Sequence, residues 1–376
     1  MYYTTEKPIK NLRKTILYLV ILLSACAKGA ENQISTTPTP SLIQFSLTEI
    51  PTEQAMPYFQ DEFSNEIFLG IEEMKKSGFR TLQAVARFGH SEDNLTSGTY
   101  VILEPGQALT GYILPVNTLK FSHDFGIFAT LDYLPIQIQY NGDAESFPTL
   151  SLDPNIQRAF KFHLHPLSEG LHSLVLKFII APNHFFAFHA TASDPIEDEA
   201  LSFRDAPIEF GLLIWVTDSP PQSILDWPQQ ARSIAPENTT LLTDAFLVKE
   251  RSKNGQPEMM LNTDTVNAGE TAIYYIHPIA ADIGKGDIPL RVLVFWDDIL
   301  TQTDDLLIPI QTAVEQEYIP YMVHVPDNLS EGDHYLTVIG YPYPYYLRGW
   351  GDGSEWRTEV GPYSNLMAHI PVLVKK

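Results

Sequence analysis

Leu167-Ser168-Glu169-Gly170-Leu171-His172-Ser173-Leu174 returns later in the chain as Leu329-Ser330-Glu331-Gly332-Asp333-His334-Tyr335-Leu336. In both copies a Ser-Glu-Gly turn feeds an apolar run. Internal self-similarity is read first because it sets the architecture. The likeness extends outward from the phrase. Gly106 to Pro115 matches Gly269 to Pro278, Phe160 to Leu164 matches Tyr321 to Val325, and Leu212 to Val216 matches Ile370 to Val374. Between the first two matches, Pro135 to Ile138 aligns with Pro289 to Val292 across one gap. This order and spacing predict two copies of one domain.

The local pattern predicts strands. Ile136, Ile138 and Tyr140 alternate with Gln137 and Gln139. Phe160, Phe162 and Leu164 face away from Lys161, His163 and His165, while Leu174, Leu176 and Phe178 share a face with His172. Period-two runs broken by Gly and Pro turns read as half-buried strands. Charged residues are only 19% and prolines number 28, a mix that favours short strands and turns over long helices. The expected fold class is mainly β: two tandem antiparallel β-sandwich domains with a short N-terminal helix.

The repeated phrase resembles the turn that enters a strand in immunoglobulin-like domains, where an acidic-Gly-x-Tyr sequence forms the tyrosine corner. His172 and His334 take the Tyr place, and Leu174 and Leu336 take the place of the inward Cys. The resemblance implies two immunoglobulin-like sandwiches, with both histidines as structural groups that hydrogen-bond nearby backbone.

The chain divides accordingly. Residues 1–25 read as a signal peptide, with Lys7, Lys10, Arg13 and Lys14 before the apolar run Thr15 to Leu23. That run is too short to span a bilayer. Residues 26–55, rich in Ser, Thr, Pro and Gln, read as a flexible tether. Residues 56–79 read as a short helical lead-in, with Ser64 as N-cap and Ile67, Ile71 and Met74 on one face. The first sandwich is expected over 80–218, a Pro-rich linker over 219–242 and the second sandwich over 243–376.

Leu23-Ser24-Ala25-Cys26 follows the apolar run, and Cys26 is the one cysteine in the chain. The four residues resemble the lipobox of bacterial lipoproteins. The resemblance implies lipid attachment at the Cys26 thiol, cleavage before it and a body held outside the cytoplasm in the cell envelope. Acyl chains on one residue supply enough buried CH₂ groups for stable anchoring. With a single cysteine no intrachain disulfide is available, so packing alone must hold the fold.

Net charge is −22, which makes nucleic acid and anionic lipid headgroups poor partners for the body. The expected partners are the membrane, through the lipid anchor, and a glycan or protein ligand. No nucleophile elbow, zinc-protease helix, phosphate-binding loop or dinucleotide fingerprint occurs in the chain. His163 and His165 lie two apart on one strand face, a beginning of a metal site without a visible third ligand. Acidic residues gather at Asp194 to Asp205, at Asp297, Asp298, Asp304 and Asp305, and at Asp352 and Glu355. Calcium is the one cofactor such loops suit, since it needs several oxygens from one loop. Solvation is the plainer reading of them.

Aromatics single out one stretch. Tyr341-Pro342-Tyr343-Pro344-Tyr345-Tyr346 leads to Trp350 and Trp356. Immunoglobulin-like topology makes Val116 to Leu134 and Asn183 to Pro207 long loops of the first copy. Ile279 to Ile288 and Pro342 to Pro362 are their counterparts in the second. Long loops on a rigid sandwich are where binding concentrates. The expected ligand site is the second-domain loop end, with Tyr345, Trp350 and Trp356 stacking on a ligand and Asp352 as a polar contact. The role expected is binding or scaffolding by a membrane-anchored surface or periplasmic lipoprotein. The alternatives are a carbohydrate-active surface protein, either a polysaccharide binder or a weak hydrolase, and a purely structural spacer.

Overall fold

The computed structural model describes residues 45–59, 82–97, 100–117, 122–154, 156–180, 208–219, 242–249, 263–280, 286–310, 318–342, 348–350, 357–360 and 364–376. Strand β1 (Phe45–Ile50) leads into a helical turn, α1 (Thr52–Ala55), and a 3-10 turn over Met56–Phe59. Then come β2 (Leu82–Gly89), β3 (Tyr100–Leu103), β4 (Leu109–Asn117) and β5 (His123–Leu131). Four short strands follow: β6 (Leu134–Pro135), β7 (Ile138–Tyr140), β8 (Asp143–Glu145) and β9 (Thr149–Leu152). β10 (Ala159–Leu164), β11 (Gly170–Ile180) and β12 (Ile208–Val216) close the first copy. The second copy holds β13 (Leu242–Val248), β14 (Asp264–Asn267), β15 (Thr271–Ala280), β16 (Gly286–Trp296) and β17 (Ile299–Ile310). It ends with β18 (Ile319–His324), β19 (Gly332–Pro342), β20 (Arg348–Trp350), β21 (Arg357–Val360) and β22 (Asn365–Lys375).

Each copy is a sandwich of two sheets. In the first, one sheet runs β2-β4-β10-β1-β7-β8 and the other β3-β12-β11-β5-β6, with β9 also on β5. In the second, the sheets run β13-β15-β18 and β14-β22-β19-β16-β17. The orders β2-β4-β10 and β3-β12-β11-β5 therefore recur as β13-β15-β18 and β14-β22-β19-β16. The edge strands β3 and β14 join β12 and β22 in parallel, in otherwise mainly antiparallel sheets. Alternation supplies the cores. Phe160, Phe162 and Leu164 face Leu174, Leu176 and Phe178 in one, and Tyr321 and Val323 join Leu336 and Val338 in the other. Leu174 and Leu336 are 2% and 0% exposed, each at the same step after its Ser-Glu-Gly turn. The turn glycines Gly170 and Gly332 have φ of 133° and 141°, a region that a side chain disfavours.

Two stretches differ from the sequence reading. Residues 45–50, placed in the tether, form β1, which pairs antiparallel with β10 and parallel with β7. Phe45 and Leu47 are wholly buried, so this strand is part of the first core. Val116 to Leu134, read as a loop, is largely strand: β5 contributes Phe125, Ile127, Ala129 and Leu131 to the core. β5, rather than Pro135 to Ile138, is the counterpart of β16, because each pairs with the equivalent strand β11 or β19. The predicted helix over 64–78 lies outside the described residues, and the helical turns seen are earlier, at Thr52 to Phe59.

Those turns cover the outer face of the first sheet. Ala55 and Phe59 pack with Val85, Tyr112, Leu114 and Ala159. Tyr58 stacks on Tyr112 with ring centroids 4.5 Å apart, and both hydroxyls donate to Glu92. Lys161 Nζ donates to the same carboxylate at 2.6 Å. Led by the bond from Lys161, these donors hold Glu92 down to about 2.

The two sandwiches meet through a buried interface of their own. β5, the turn after it and β11 present Phe128, Tyr133, Val175 and Ile179 to Leu293, Phe295, Ile339 and Tyr341 of the second copy. Phe128 meets Phe295 edge to face at 5.2 Å, and Tyr133 meets Tyr341 at 5.6 Å. The Tyr341 hydroxyl is hydrogen-bonded to Thr130 Oγ1 at 3.1 Å. Beside this apolar patch Lys177, 1% exposed, donates to Glu209 at 2.9 Å and to the Ser364 carbonyl at 3.1 Å. Ser364 in turn donates its backbone N–H to Glu209 Oε1 at 2.8 Å. A side chain and a backbone segment from opposite copies thus share one buried, satisfied network. Counting from the paired residues Leu131–Leu174 and Trp296–Leu336, Phe128 corresponds to Leu293 and Ile179 to Tyr341. Both copies therefore use the same outward face.

Candidate functional site

The strands converge their long connections at one end of each copy. Phe178 pairs with Ile208 and with Ile127, so the connections β4–β5 and β11–β12 leave from neighbouring positions. In the second copy Leu290 pairs with Pro342 and Gly340 with Asn365, which places β15–β16 and β19–β22 together in the same way. Within the last of these, β20 and β21 pair as a two-stranded hairpin that sets Trp350 opposite Arg357. Trp350 thus lies on the backbone of the second-domain loop end. Tyr345, Asp352 and Trp356 lie outside the described residues, as do Cys26 and Asn183 to Pro207.

The opposite end carries the feature that gives the repeated phrase its meaning. β5 and β6 are joined by a two-residue turn, Asp132-Tyr133, and β16 and β17 by Asp297-Asp298. All four residues have positive φ: 50°, 63°, 48° and 65°. Such turns favour Asn-Gly, because both central residues must be left-handed. Here Asp takes the first position in both copies, and its carboxylate is put to use. Asp132 Oδ1 accepts the Ser173 backbone N–H at 3.0 Å while Oδ2 meets His172 Nδ1 at 2.8 Å. Asp297 Oδ1 accepts the Tyr335 N–H at 2.9 Å while Oδ2 meets His334 Nδ1 at 2.5 Å. The far ring nitrogens, Nε2, meet the carbonyls of Ser168 and Ser330, each at 2.9 Å.

Each ring is therefore held between two oxygens, one from the turn that begins its own strand and one from the neighbouring hairpin. The bond to Asp132 raises the His172 pKa, against burial. Burial lowers that of His334, but the bonds to Asp297 and Ser330 outweigh it and the net direction is upward. The structural reading of both histidines accounts for the Ser168 and Ser330 contacts. Sequence reasoning missed the aspartates. The signal was an Asp in the first turn position after Leu131 and after Trp296, visible only once β5 and β16 are aligned.

Two of the other chemically suggestive acidic residues, Asp304 and Asp305, have protein partners. Asp305 takes a two-point contact from Arg291, at 2.8 and 3.0 Å. Asp304 accepts from the Tyr321 hydroxyl at 2.8 Å and from Gln302 at 2.6 Å. Burial, with the Asp297 charge behind it, lifts Asp298 to about 6. His163 and His165 lie 5.2 Å apart edge to face, and burial lowers the pKa of His163. Among the described residues no group of three or more His, Cys, Asp or Glu is placed to hold a metal ion. No helix among them is long and apolar enough to cross a membrane.

No family model matches the chain, and no curated protein matches it. Among solved structures, the fibronectin(III)-like modules of Clostridium thermocellum CbhA are similar at 11% identity and a TM-score of 0.19. That match covers 74% of this chain and 90% of the other. A CARDB domain from Pyrococcus furiosus, in complex with di-metal ions, is similar at 10% identity and a TM-score of 0.21, over 36% of this chain and 88% of that one. Red sea bream transglutaminase is similar at 9% identity and a TM-score of 0.20, over 84% of this chain and 34% of its own. Likenesses at these scores carry no argument about function. The sandwich architecture rests on the strand pairing itself.

Proposed function

We propose that this chain is a lipoprotein of the bacterial cell envelope, anchored through Cys26, whose paired sandwiches form one stiff binding or scaffolding arm. The observation that carries the reading is the interface between the copies. Tandem domains move relative to one another by default unless the surface between them is large and hydrophobic. Here it has an aromatic centre and the Lys177–Glu209–Ser364 network, so both loop ends are held in one arrangement. A β-sandwich of this kind is compatible with a binding or scaffolding role. Leu23-Ser24-Ala25-Cys26 supports the anchor, since acylation requires a thiol at that position. Tyr345, Trp350 and Trp356, with Asp352, supply flat apolar faces and a polar contact for a glycan or a peptide at the second loop end.

Two measurements test it. Labelled fatty acid should enter the wild-type chain and not Cys26→Ala, which should also leave the detergent phase for the aqueous one. Equal labelling of the two chains removes the anchor from the proposal. A glycan and peptide array probed with the Cys26→Ala chain should give a saturable ligand. A Trp350→Ala, Trp356→Ala double variant that stays folded should lose at least tenfold in affinity for it, as loss of stacked aromatic contacts does. Full affinity in that variant places binding elsewhere.

A further inference from the structure

We propose that the two His–Asp clasps are a duplicated pH-sensitive lock, closed while the imidazoles are charged and released, in both sandwiches, when they lose a proton. The argument is one of proton counting. Nε2 of His172 and of His334 meets a backbone carbonyl at 2.9 Å, which has no proton to give; the Ser330 hydroxyl stands farther off, 3.4 Å from His334 Nε2, where its oxygen can accept the same N–H. Nδ1 faces an aspartate whose other oxygen already accepts a backbone N–H. Carbonyl and ionised carboxylate are acceptors only, so both ring nitrogens must donate, and only the imidazolium has two N–H groups. Neutral imidazole turns a lone pair toward one of the two oxygens, and one arm of the clasp becomes repulsive.

The clasp also holds something under tension. The hairpin turns it grips carry non-glycine residues at left-handed φ in both central positions, a conformation that persists only where the surroundings enforce it. Releasing the ring removes one of the contacts that enforce it. The consequence is local: the turn and the start of β11 or β19 loosen together, at the end opposite the long loops.

The charges around each ring favour the closed state. Asp132 faces His172; Asp297 and Asp333 face His334, with Asp298 next to Asp297. The folded pKa of both histidines is raised above 6.5. The stabilisation is therefore fully present below that value and is lost as pH rises through the folded pKa. Asp298 has a folded pKa of about 6 against 3.8, so its contribution is also lost with rising pH, between those two values. The first copy separates the two effects, because Tyr133 stands where the second has Asp298.

The test uses the full chain in detergent. Exchange of the imidazole C2 hydrogen, followed by mass spectrometry from about pH 5 to about pH 8, reports the midpoint of each histidine. Backbone amide exchange over the same range reports the turns. His172 and His334 should titrate above a histidine in a short unstructured peptide. Protection of the Ser173 and Tyr335 amides should fall as they do. Asp132→Asn and Asp297→Asn should each weaken proton binding at their own histidine by about tenfold or more, as loss of an adjacent opposite charge does. Midpoints at or below that of the peptide histidine, or amide protection flat across the range, overturn the lock. The wild-type titration decides this even where an Asn variant misfolds.

Discussion

Among the described residues the two sandwiches share seven strands in one order and differ at their edges, most plainly beside β10 and β18. In the first, β10 is flanked by β1, a whole strand drawn from ahead of the domain. In the second, β18 is the last strand of its sheet among the described residues, and a side chain pairs with its outer edge. Gln302 donates to the Met322 carbonyl at 2.9 Å and accepts the His324 N–H at 3.0 Å, while Trp296 donates to the His324 carbonyl at 3.1 Å. An amide side chain carries the same donor and acceptor as a peptide unit, so it can pair with an edge as a strand would. The comparison teaches that the repeated core is one solution, and that the edge is where each copy solved the problem of unpaired backbone for itself.

The sharpest way to break the comparison is to make the first edge as bare as the second. A chain shortened to begin at residue 56 lacks β1 and with it Phe45 and Leu47, both wholly buried. Such losses cost about 3–5 kcal/mol for a phenylalanine and about 2–5 kcal/mol for a leucine, and the pairings to β10 and β7 go as well. The total rivals the about 5–15 kcal/mol that holds a domain together. The shortened chain should show the first sandwich protease-sensitive throughout. A chain that starts before Phe45 should not. Equal protease resistance would mean that β1 is dispensable and that the first edge, like the second, closes by other means.

The interface offers a second contrast. Lys177 pairs with Glu209 on the neighbouring strand, whereas the matching pair in the second copy is Ile339 and Leu366. Lys177→Ala leaves Glu209 as a part-buried charge held only by Ser364 and should cost about 3 kcal/mol in denaturant unfolding, the low end for a broken buried pair. Importing the apolar pair, as Lys177→Ile with Glu209→Leu, removes both charges together and should recover most of that loss. Recovery should stop short of complete, because Ser364 then lacks the acceptor it has in Glu209. A double variant as unstable as Lys177→Ala would show that the two copies' solutions are not interchangeable.

The equivalence of the cores predicts equality. Leu174→Ala and Leu336→Ala should each cost about 2–5 kcal/mol, as a buried leucine truncation does. Both sit one strand step inside a His–Asp clasp and face a packed core. A cost at the low end in one and the high end in the other would mean that one sandwich relaxes around the cavity and its twin does not.

These differences follow the line between what was legible in the sequence and what was not. Phe160 to Leu164, with one part-exposed face, was legible by its alternation; Leu174 to Phe178 was legible too, because polar Ser173 and Lys177 mark its second face, although that face is buried. β5 was not, because it is covered on both faces. From Phe125 to Leu131 every residue is an apolar or small group that ends buried, so no period-two signal survives. β1 was hidden by length, being six residues behind a Ser-, Thr- and Pro-rich run. The register of His172 on His334 was legible, but their aspartates were not, since they lie 40 and 37 residues upstream across a misaligned strand. The interface could not be seen at all, for the partner of each outward face is the other copy. Of the candidate ligand residues, the structure gives only the backbone of Trp350.

The smallest expected effect tests the edge itself. Gln302→Ala removes the side chain that answers Met322 and His324, and it leaves the Asp304 carboxylate with the Tyr321 hydroxyl. Met322 and His324 are both exposed, so water can replace the lost bonds in the monomer. The cost should therefore be about 1 kcal/mol. A second consequence does not depend on stability. An uncapped strand edge is a template for another strand, so the variant should self-associate where the wild type does not, as read by sedimentation at rising concentration. Gln302→Glu sets a second carboxylate against Asp304, which accepts from Gln302 at 2.6 Å, and should cost more than Gln302→Ala. If Gln302→Ala unfolds at the wild-type midpoint and shows no tendency to associate, the side chain is not standing in for a strand. The likeness between the β10 and β18 edges then ends at the strand order.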